Sequence, residues 1–398
     1  MKLAIFDPSL SEIGHYKYFN WHIVKLLNNP DIEEIYMIDY AGFFEKWYRQ
    51  FIKSDQKNIK IIQAASDIPP IRKINGRIKN PLQRFILHIK DKQWYKQILK
   101  KINDINPDIT LITSQCRGPA MYDIFNSRIN PILLIHTSRV ILKTNNKISK
   151  SYYSRLKSYL SRRKVRKFVL NSALSLITLE ESTVENLKQN GFKSFWIPYE
   201  LFSDPEKTND DKLLRTNNEF VISTVGVIYE GKNIDFIINT LKNKRIADVK
   251  YIISGFPYDE YGQRIKKEVE DLHNEMIEGH FEYLSEEEYT MAIKAADFIV
   301  LSYSKDRSDQ ASGVFFDAIK YNRPVIVPNV EPFKHYIEKH KIGLMFEENN
   351  EESFVQQINM AKKLGTSYFI KNINDFKRDF SYDVWIKKFV DFLKSVKN

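Results

Sequence analysis

Short apolar runs recur along the whole chain, and stretches with helical spacing of apolar residues separate them. In the first half, the runs predicted as strands are residues 2–6, 34–38, 109–113, 132–136 and 174–178. In the second half, they are residues 220–226, 249–254, 281–284, 298–303 and 325–327. Buried strands that alternate with helices are typical of parallel sheets built from βαβ units. The pattern predicts an α/β protein with two doubly wound, Rossmann-like sheets.

A polar segment without apolar periodicity separates the two halves. Residues 203–218 contain Pro205 and many charged and amide side chains, which is typical of a linker. We predict an N-terminal domain over residues 1–202, a C-terminal domain over residues 219–380 and a closing helix over residues 381–398. Paired Rossmann-like domains bind ligands in the cleft between them, so the cleft is the expected site.

Length and composition narrow the class of protein. A chain of 398 residues, 43% of them hydrophobic, has enough apolar material for two or three domain cores. The single cysteine, Cys116, excludes an intrachain disulfide and suits a reducing compartment. The first residues form a strand pattern rather than a signal peptide, and no apolar run approaches the ~18 residues of a membrane span. We therefore expect a cytoplasmic protein.

The net charge of +11 is distributed unevenly. Residues 1–200 hold 33 Lys and Arg against 17 Asp and Glu, a balance of +16, and residues 201–398 hold 28 against 33, a balance of −5. A basic half points to an anionic partner, namely nucleic acid, an anionic membrane surface or a phosphorylated substrate. A solvated basic face is the alternative.

Two segments carry most of this positive charge. Residues 72–101 hold ten basic residues and one acid, interleaved with apolar residues that include Phe85, Ile86, Trp94 and Tyr95. Residues 143–167 hold ten basic residues and no acid, again with aromatic side chains at helical spacing. Such segments suit helices that lie in an anionic membrane interface, although helices that pack on their own sheet remain the alternative. Because no RNA-recognition motif is present, a nucleic-acid partner is not expected.

The densest cluster of candidate functional residues follows the fourth strand of the second half. Ser312 is predicted as the N-cap of a helix with Gly313 and Val314 in its first turn, where free amides suit a phosphate or diphosphate. Asp309 precedes this helix and Asp317 lies on its second turn. Both carboxylates can face the mouth of the sheet and accept hydrogen bonds from vicinal hydroxyls of a sugar or ribose. For Asp309, a solvated loop acid is the alternative.

The chain resembles the retaining glycosyltransferases of the GT-B fold, in particular glycosyltransferase family 4 of the type that builds bacterial surface polysaccharides. Members carry a Glu, seven intervening residues and a second Glu, followed by a helix and a Pro-Val-Ile strand. Asp309 and Asp317 have that spacing, and Arg323-Pro-Val-Ile-Val follows. Other similar segments are residues 224–235, Ile252-Ile-Ser-Gly255-Phe-Pro257, residues 296–302, residues 343–346 and the closing helix after Phe380. The resemblance covers nearly the whole chain and implies two domains that face a central cleft, with the C-terminal helix returning to the N-terminal domain.

The resemblance also implies roles for individual residues. By position, Asp309 contacts the donor sugar, Asp317 holds the nucleotide ribose and Lys232 neutralises the donor diphosphate. Without the surrounding pattern, an ordinary loop lysine is the favoured interpretation of Lys232. Val227 stands five residues before it, where the family usually has an arginine, so one cation of the diphosphate clamp is missing. Arg307 and the basic residues of the N-terminal domain are the candidates to supply the missing positive charge.

Further donor-site residues are implied at strand ends and in turns. Gly14 lies in the loop that is Gly-rich in the family and approaches the donor phosphate, and His136 resembles the strand-end histidine that contacts the donor sugar. Gly226 and Gly255 occupy the turns after the first two strands of the C-terminal domain. Candidates for the acceptor side are His15, the segment from Ser114 to Gly118, Glu180 and Glu181.

The implied activity is the transfer of a sugar from a nucleoside-diphosphate sugar to an acceptor hydroxyl, with retention of configuration and without a metal or other cofactor. No cluster of His, Cys and acidic residues has metal-ligand spacing. The basic N-terminal half favours a lipid-linked glycan acceptor and a peripheral position on the inner face of the cell membrane. The missing arginine leaves a non-catalytic module that binds a partner enzyme or a glycan as a second hypothesis. A nucleotide-sugar epimerase or phosphorylase is the third.

Overall fold

A computed structural model describes most of the chain. The described residues are 1–8, 30–48, 58–73, 80–114, 129–135, 175–197, 219–244, 246, 248–272, 275–304 and 312–397. The chain divides into two compact units: unit 1 comprises Met1–Tyr199 together with Tyr382–Asn398, and unit 2 comprises Glu200–Ser381. The predicted linker and the second basic segment, residues 143–167, lie outside the described residues.

Unit 1 is built on a parallel sheet of seven strands. These are β1 (Lys2–Phe6), β2 (Glu34–Tyr40), β3 (Ile59–Ala65), β4 (Ile109–Ile112), β5 (Pro131–Ile135), β6 (Ser175–Thr178) and β7 (Ser194–Trp196). Their order is β3-β2-β1-β4-β5-β6-β7, and each pair is parallel. Strands β4, β5 and β6 are buried along their whole length, which explains their continuous apolar runs.

The helices are numbered in chain order through both units. Unit 1 holds α1 (Phe43–Tyr48), α2 (Pro81–Ile105), α3 (Glu181–Gln189) and α11 (Tyr382–Lys397). The C-terminal helix α11 packs on unit 1, where Trp385 meets Trp196 edge-on and Phe392 stacks on Phe195. The return of this helix to the N-terminal domain is therefore confirmed.

Helix α2 begins at a well-formed N-terminus. The Asn80 side chain accepts hydrogen bonds from the backbone N–H groups of Leu82 and Gln83, and Pro81 occupies the first turn. Trp94 and Tyr95 are buried, and both contact Phe6 of β1 through their rings. Among the described helices, none is long and apolar enough to cross a membrane.

Unit 2 is built on a parallel sheet of six strands. These are β8 (Phe220–Val225), β9 (Val249–Ser254), β10 (Ile277–His280), β11 (Phe298–Val300), β12 (Val325–Pro328) and β13 (Gly343–Phe346), in the order β10-β9-β8-β11-β12-β13. The helices are α4 (Ile234–Lys244), α5 (Glu260–Leu272), α6 (Glu286–Ala295), α7 (Gly313–Lys320), α8 (Phe333–His340), α9 (Glu351–Leu364) and α10 (Ser367–Asp379). The prediction of two doubly wound parallel sheets is confirmed.

One predicted strand was wrong and three strands were not predicted. Residues 281–284 lie in a loop, and the strand is the preceding segment Ile277–His280, which pairs with β9. Ser285 and Glu288 form a capping box that begins α6, so the apolar residues just before it connect strand and helix. Strands β3, β7 and β13 were missed; β3 and β7 lie at an edge of their sheet and contain many half-exposed residues.

Candidate functional site

The candidate site lies at the carboxyl ends of β8, β9 and β11 in unit 2. Strand β8 pairs on one side with β9, the next strand in the sequence, and on the other side with β11. The strand order therefore reverses between β8 and β11. In doubly wound sheets, ligands bind outside the carboxyl ends of the strands at such a switch point.

Two glycines form the floor of this site. Gly226 directly follows β8 at a φ of +89°, and its N–H donates to the Ser254 carbonyl oxygen at 2.8 Å. Gly255 directly follows β9, and a methyl group built on it would lie 2.1 Å from the Gly226 carbonyl oxygen. The turns after β8 and β9 therefore pack backbone against backbone, which only glycine at position 255 permits.

Three side chains surround the open side of Gly226. A methyl group built on Gly226 would lie 3.6 Å from Lys232 Nζ, 3.6 Å from Val314 Cγ2 and 3.7 Å from Tyr289 Cε2. These side chains come from the loop after β8, from the first turn of α7 and from α6. The fold thus assembles residues from three segments around one backbone position.

Lys232 is the buried cation of the site. Its side chain is 2% exposed, and Nζ donates to the Val225 carbonyl oxygen at 2.6 Å. Burial lowers the pKa of Lys232 to about 7. Ser302 holds the loop in place, because its hydroxyl donates to the carbonyl oxygens of Lys232, at 2.6 Å, and Asn233, at 3.2 Å. An anionic ligand beside Nζ would favour the charged ammonium.

The start of α7 brings backbone N–H groups to the same place. Ser312 is the N-cap, as predicted, and its hydroxyl accepts a hydrogen bond from the Phe315 N–H at 3.3 Å. Phe315 and Phe316 are buried and anchor the first turn, which leaves Gly313 and Val314 at the helix terminus. The positive end of the helix dipole and the uncapped N–H groups favour an anion here.

Asp317 lies on the second turn of α7, as predicted, and is held from a neighbouring helix. Tyr289 on α6 donates its hydroxyl hydrogen to Asp317 Oδ2 at 2.7 Å. The hydroxyl groups of Thr290 and Tyr321 lie 3.2 Å apart and join the same two helices. Tyr289 was not predicted, since the capping signature before it predicts a helix but not which element the Tyr289 side chain contacts.

Four of the residues predicted for the site lie in segments that the structure does not describe. Asp309, Arg307, His136 and Gly14 lie outside the described residues, so their roles stay predictions. Val227, at which the resemblance implies a missing arginine, is 45% exposed. Within the described ranges, no group of three or more His, Cys, Asp or Glu side chains is placed to hold a metal ion.

Two acceptor-side candidates of unit 1 are buried at strand ends. Ser114 follows β4 and donates its hydroxyl hydrogen to the carboxylate of Asp7, a buried residue directly after β1. Glu180 is buried after β6, and its N–H donates to Thr178 Oγ1 at 3.2 Å. The Asp7–Ser114 pair was not predicted, because the two residues are far apart in the sequence and meet only through the pairing of β1 with β4.

The chain shares its fold and one domain with known proteins. Residues 205–374 match the family model of the group 1 glycosyl transferases. No curated protein sequence matches the chain. Three solved structures are similar at low sequence identity. A glycosyltransferase from Rickettsia africae is 15% identical, with 99% of this chain and 97% of that chain covered and a TM-score of 0.66. HepE of Anabaena in complex with UDP is 12% identical, with coverage of 99% and 100% and a TM-score of 0.68, and sucrose-phosphate synthase from Thermosynechococcus elongatus is 12% identical, with coverage of 100% and 99% and a TM-score of 0.67.

These findings agree with the geometry of the site. The family match covers the whole of the sheet that carries Gly226, Lys232 and Asp317. The structural likeness extends over both units and is a likeness of fold. The chain is a glycosyltransferase with the GT-B fold, and its unit 2 carries the group 1 glycosyltransferase domain.

Proposed function

We propose that the chain transfers a sugar from a nucleoside-diphosphate sugar to an acceptor hydroxyl, with retention of the anomeric configuration. The observation that carries this proposal is the position of Lys232 Nζ, buried beside Gly226 and the first turn of α7. A cation and a helix N-terminus at one point suit the two phosphates of a nucleotide sugar. HepE of Anabaena is described in complex with UDP, which makes UDP the first nucleotide to test.

In the proposed reaction, the protein positions the donor and stabilises the leaving group. The diphosphate lies against Lys232 and the α7 terminus, and Asp317 accepts hydrogen bonds from the ribose hydroxyls. The bond between the anomeric carbon and the diphosphate oxygen breaks while the acceptor oxygen bonds to that carbon from the same face. The acceptor proton passes to the departing diphosphate. Positive charge at the leaving group lowers the barrier, and no metal or further cofactor is required in this scheme.

The acceptor is proposed to be a lipid-linked glycan of a cell-surface polysaccharide. The excess of 33 basic over 17 acidic residues in residues 1–200 supports an anionic membrane as the place where that acceptor is met. The enzyme would then work in the cytoplasm, on the inner face of the cell membrane. Asp309 and His136 remain the predicted contacts to the donor sugar.

Replacement of Asp317 by alanine tests the donor site directly. Because hydrogen bonds to a charged group contribute about 1.5–3 kcal/mol, we expect UDP to bind the variant about tenfold to a hundredfold more weakly. Calorimetry with UDP and GDP measures the effect, and Asp271→Ala on the exposed side of α5 serves as the control. If no nucleotide binds the wild-type chain, the proposed reaction is wrong; if Asp317→Ala binds UDP normally, only the ribose contact is wrong. The configuration of the product, measured by NMR, tests retention.

Replacement of Tyr289 by phenylalanine tests a positioning role. The change removes the hydroxyl that donates to Asp317 Oδ2 at 2.7 Å and keeps the ring beside Gly226. Loss of one hydrogen bond of about 1 kcal/mol predicts about fivefold weaker UDP binding. In the Asp317→Ala background, the same change should weaken binding no further, since its partner is already gone. Additive losses in the double variant would show that Tyr289 acts independently of Asp317.

A further inference from the structure

The exposed face of α2 carries four large apolar side chains in its first turns. Leu82, Phe85, Ile86 and Ile89 are 65%, 62%, 45% and 40% exposed. Their spacing of three and four residues places them on one face of the helix, over about 10 Å along its axis. We call these four residues the α2 tip. Exposed large apolar residues that occur singly need no explanation, but a contiguous group marks an interaction surface.

The face of α2 that carries the α2 tip does not pack against the core of unit 1. The residues of α2 that are buried are Leu87, Asp91, Trp94, Tyr95, Ile98 and Ile102. At 100° per residue, they lie on the side of the helix opposite the α2 tip. Helix α2 is therefore apolar on two sides, and only one of them packs on the sheet.

The charges along the exposed face are positive as far as the last turn of the helix. After the α2 tip, the same face continues with exposed Gln93, Lys96, Gln97 and Lys100, and Lys90 and Lys101 flank it. Helix α2 contains two acidic residues: Asp91, which is 2% exposed and lies on the core side, and Asp104, which is exposed in the last turn.

The start of the helix adds to this charge. The first turn of α2 contains no acid, so the positive end of the helix dipole is not compensated there. The α2 tip therefore adjoins a surface on which basic groups and a helix N-terminus act with the same sign.

We propose that the α2 tip inserts into the interface of an anionic lipid bilayer while the lysines of the same face bind lipid headgroups. Apolar side chains beside basic ones match the boundary between acyl chains and anionic headgroups, and the one exposed acid of α2, Asp104, lies about 22 Å along the helix from Ile89. A protein partner that covered four apolar side chains would not by itself explain the row of lysines beyond them. The inference deepens the membrane part of the proposed function and assigns it to one helix.

The test is flotation of the full-length chain with lipid vesicles. We expect binding to vesicles of phosphatidylcholine with about one third phosphatidylglycerol and little binding to phosphatidylcholine alone. The variant Phe85→Ser/Ile89→Ser keeps the charge but removes apolar surface, and should bind the anionic vesicles at least about tenfold more weakly. The control Met360→Ser/Tyr368→Ser changes two exposed apolar residues of unit 2 and should bind as the wild type.

A second pair of variants tests the lysines. Lys96→Gln/Lys100→Gln should weaken binding about fivefold for each lysine, and binding should also fall as salt is raised. The control Lys267→Gln/Lys363→Gln removes the same charge from exposed positions of unit 2 and should have little effect.

Three outcomes would overturn the inference. These are a wild-type chain that does not float with anionic vesicles, a Phe85→Ser/Ile89→Ser variant that floats like the wild type, and a wild-type dimer that this variant converts to a monomer. The last outcome would make the α2 tip an interface between copies of the chain. UDP calorimetry needs no vesicles, so failure of membrane binding and failure of the proposed donor site are measured separately.

Discussion

Replacing Lys232 by methionine is expected to lower the rate of sugar transfer about a hundredfold to a thousandfold, the range found when one preorganised donor to a developing negative charge is removed. In the proposed reaction, the buried ammonium stabilises the departing diphosphate. If Val227 stands where the resemblance implies a second cation, Lys232 carries a larger share of this stabilisation. Methionine fills a similar volume without the charge.

The same substitution should leave the fold as stable as before, or more stable. Burial lowers the pKa of Lys232 from 10.5 to about 7, so between these pH values the unfolded chain binds more protons than the folded chain. The cost of burying Lys232 is therefore full below pH 7 and falls as pH rises toward 10.5. Denaturation at pH 6 and pH 9 should show a rise in the wild-type free energy of unfolding that is smaller in Lys232→Met.

A second buried lysine of unit 2 provides the matched control. Burial lowers the pKa of Lys377 to about 8, and its Nζ donates to the Lys320 carbonyl oxygen at 2.7 Å and to Asn322 Oδ1 at 2.6 Å. Like Lys232→Met, Lys377→Met removes a buried charge together with its hydrogen bonds, but it should leave the transfer rate nearly unchanged. If Lys232→Met transfers sugar at the wild-type rate, Lys232 is not the cation of the diphosphate site.

The fold and the site differ in how far the sequence predicts them. The alternation of apolar runs and helical stretches was sufficient for two parallel sheets, because fully buried strands leave continuous apolar runs. The strand predicted at residues 281–284 was wrong because the apolar residues before a helix cap resemble a short strand. Motif resemblance singled out Lys232, Gly226 and Asp317 as candidate site residues. The structure places Lys232 beside Gly226 at the strand switch point, and Tyr289 connects Gly226 to Asp317.

Contacts between segments that are distant in the chain could not be predicted from the sequence. Tyr289 and Asp317 are 28 residues apart and meet only because α6 and α7 pack side by side. In α2, Phe85 and Trp94 belong to the same basic and aromatic segment, yet one is exposed and the other is in the core. Periodicity does not separate two apolar faces of one helix, since it does not show which face the sheet covers.

Replacing Gly255 by alanine is expected to reduce the free energy of unfolding by about 3–5 kcal/mol, the sum of an overpacked contact and a strained backbone. The new methyl group would lie 2.1 Å from the Gly226 carbonyl oxygen and 2.6 Å from its carbonyl carbon, at a φ of +152°. A side chain can relieve such a clash by changing its rotamer, but backbone atoms cannot. The turns after β8 and β9 must therefore separate, which stretches the hydrogen bond from the Gly226 N–H to the Ser254 carbonyl oxygen.

Gly365→Ala is the control that separates the two causes of this loss. Gly365 also has a positive φ, +69°, but a methyl group there meets nothing nearer than Ser367 Oγ at 4.0 Å. Gly365→Ala should cost about 1–3 kcal/mol, from backbone strain alone. Urea denaturation gives both values, and calorimetry should show that Gly255→Ala also loses UDP binding, because displacing Gly226 moves the backbone that faces Lys232. Equal losses of stability in the two variants would mean that the turns after β8 and β9 separate at little cost, and the close backbone contact would then not be what holds the floor of the donor site.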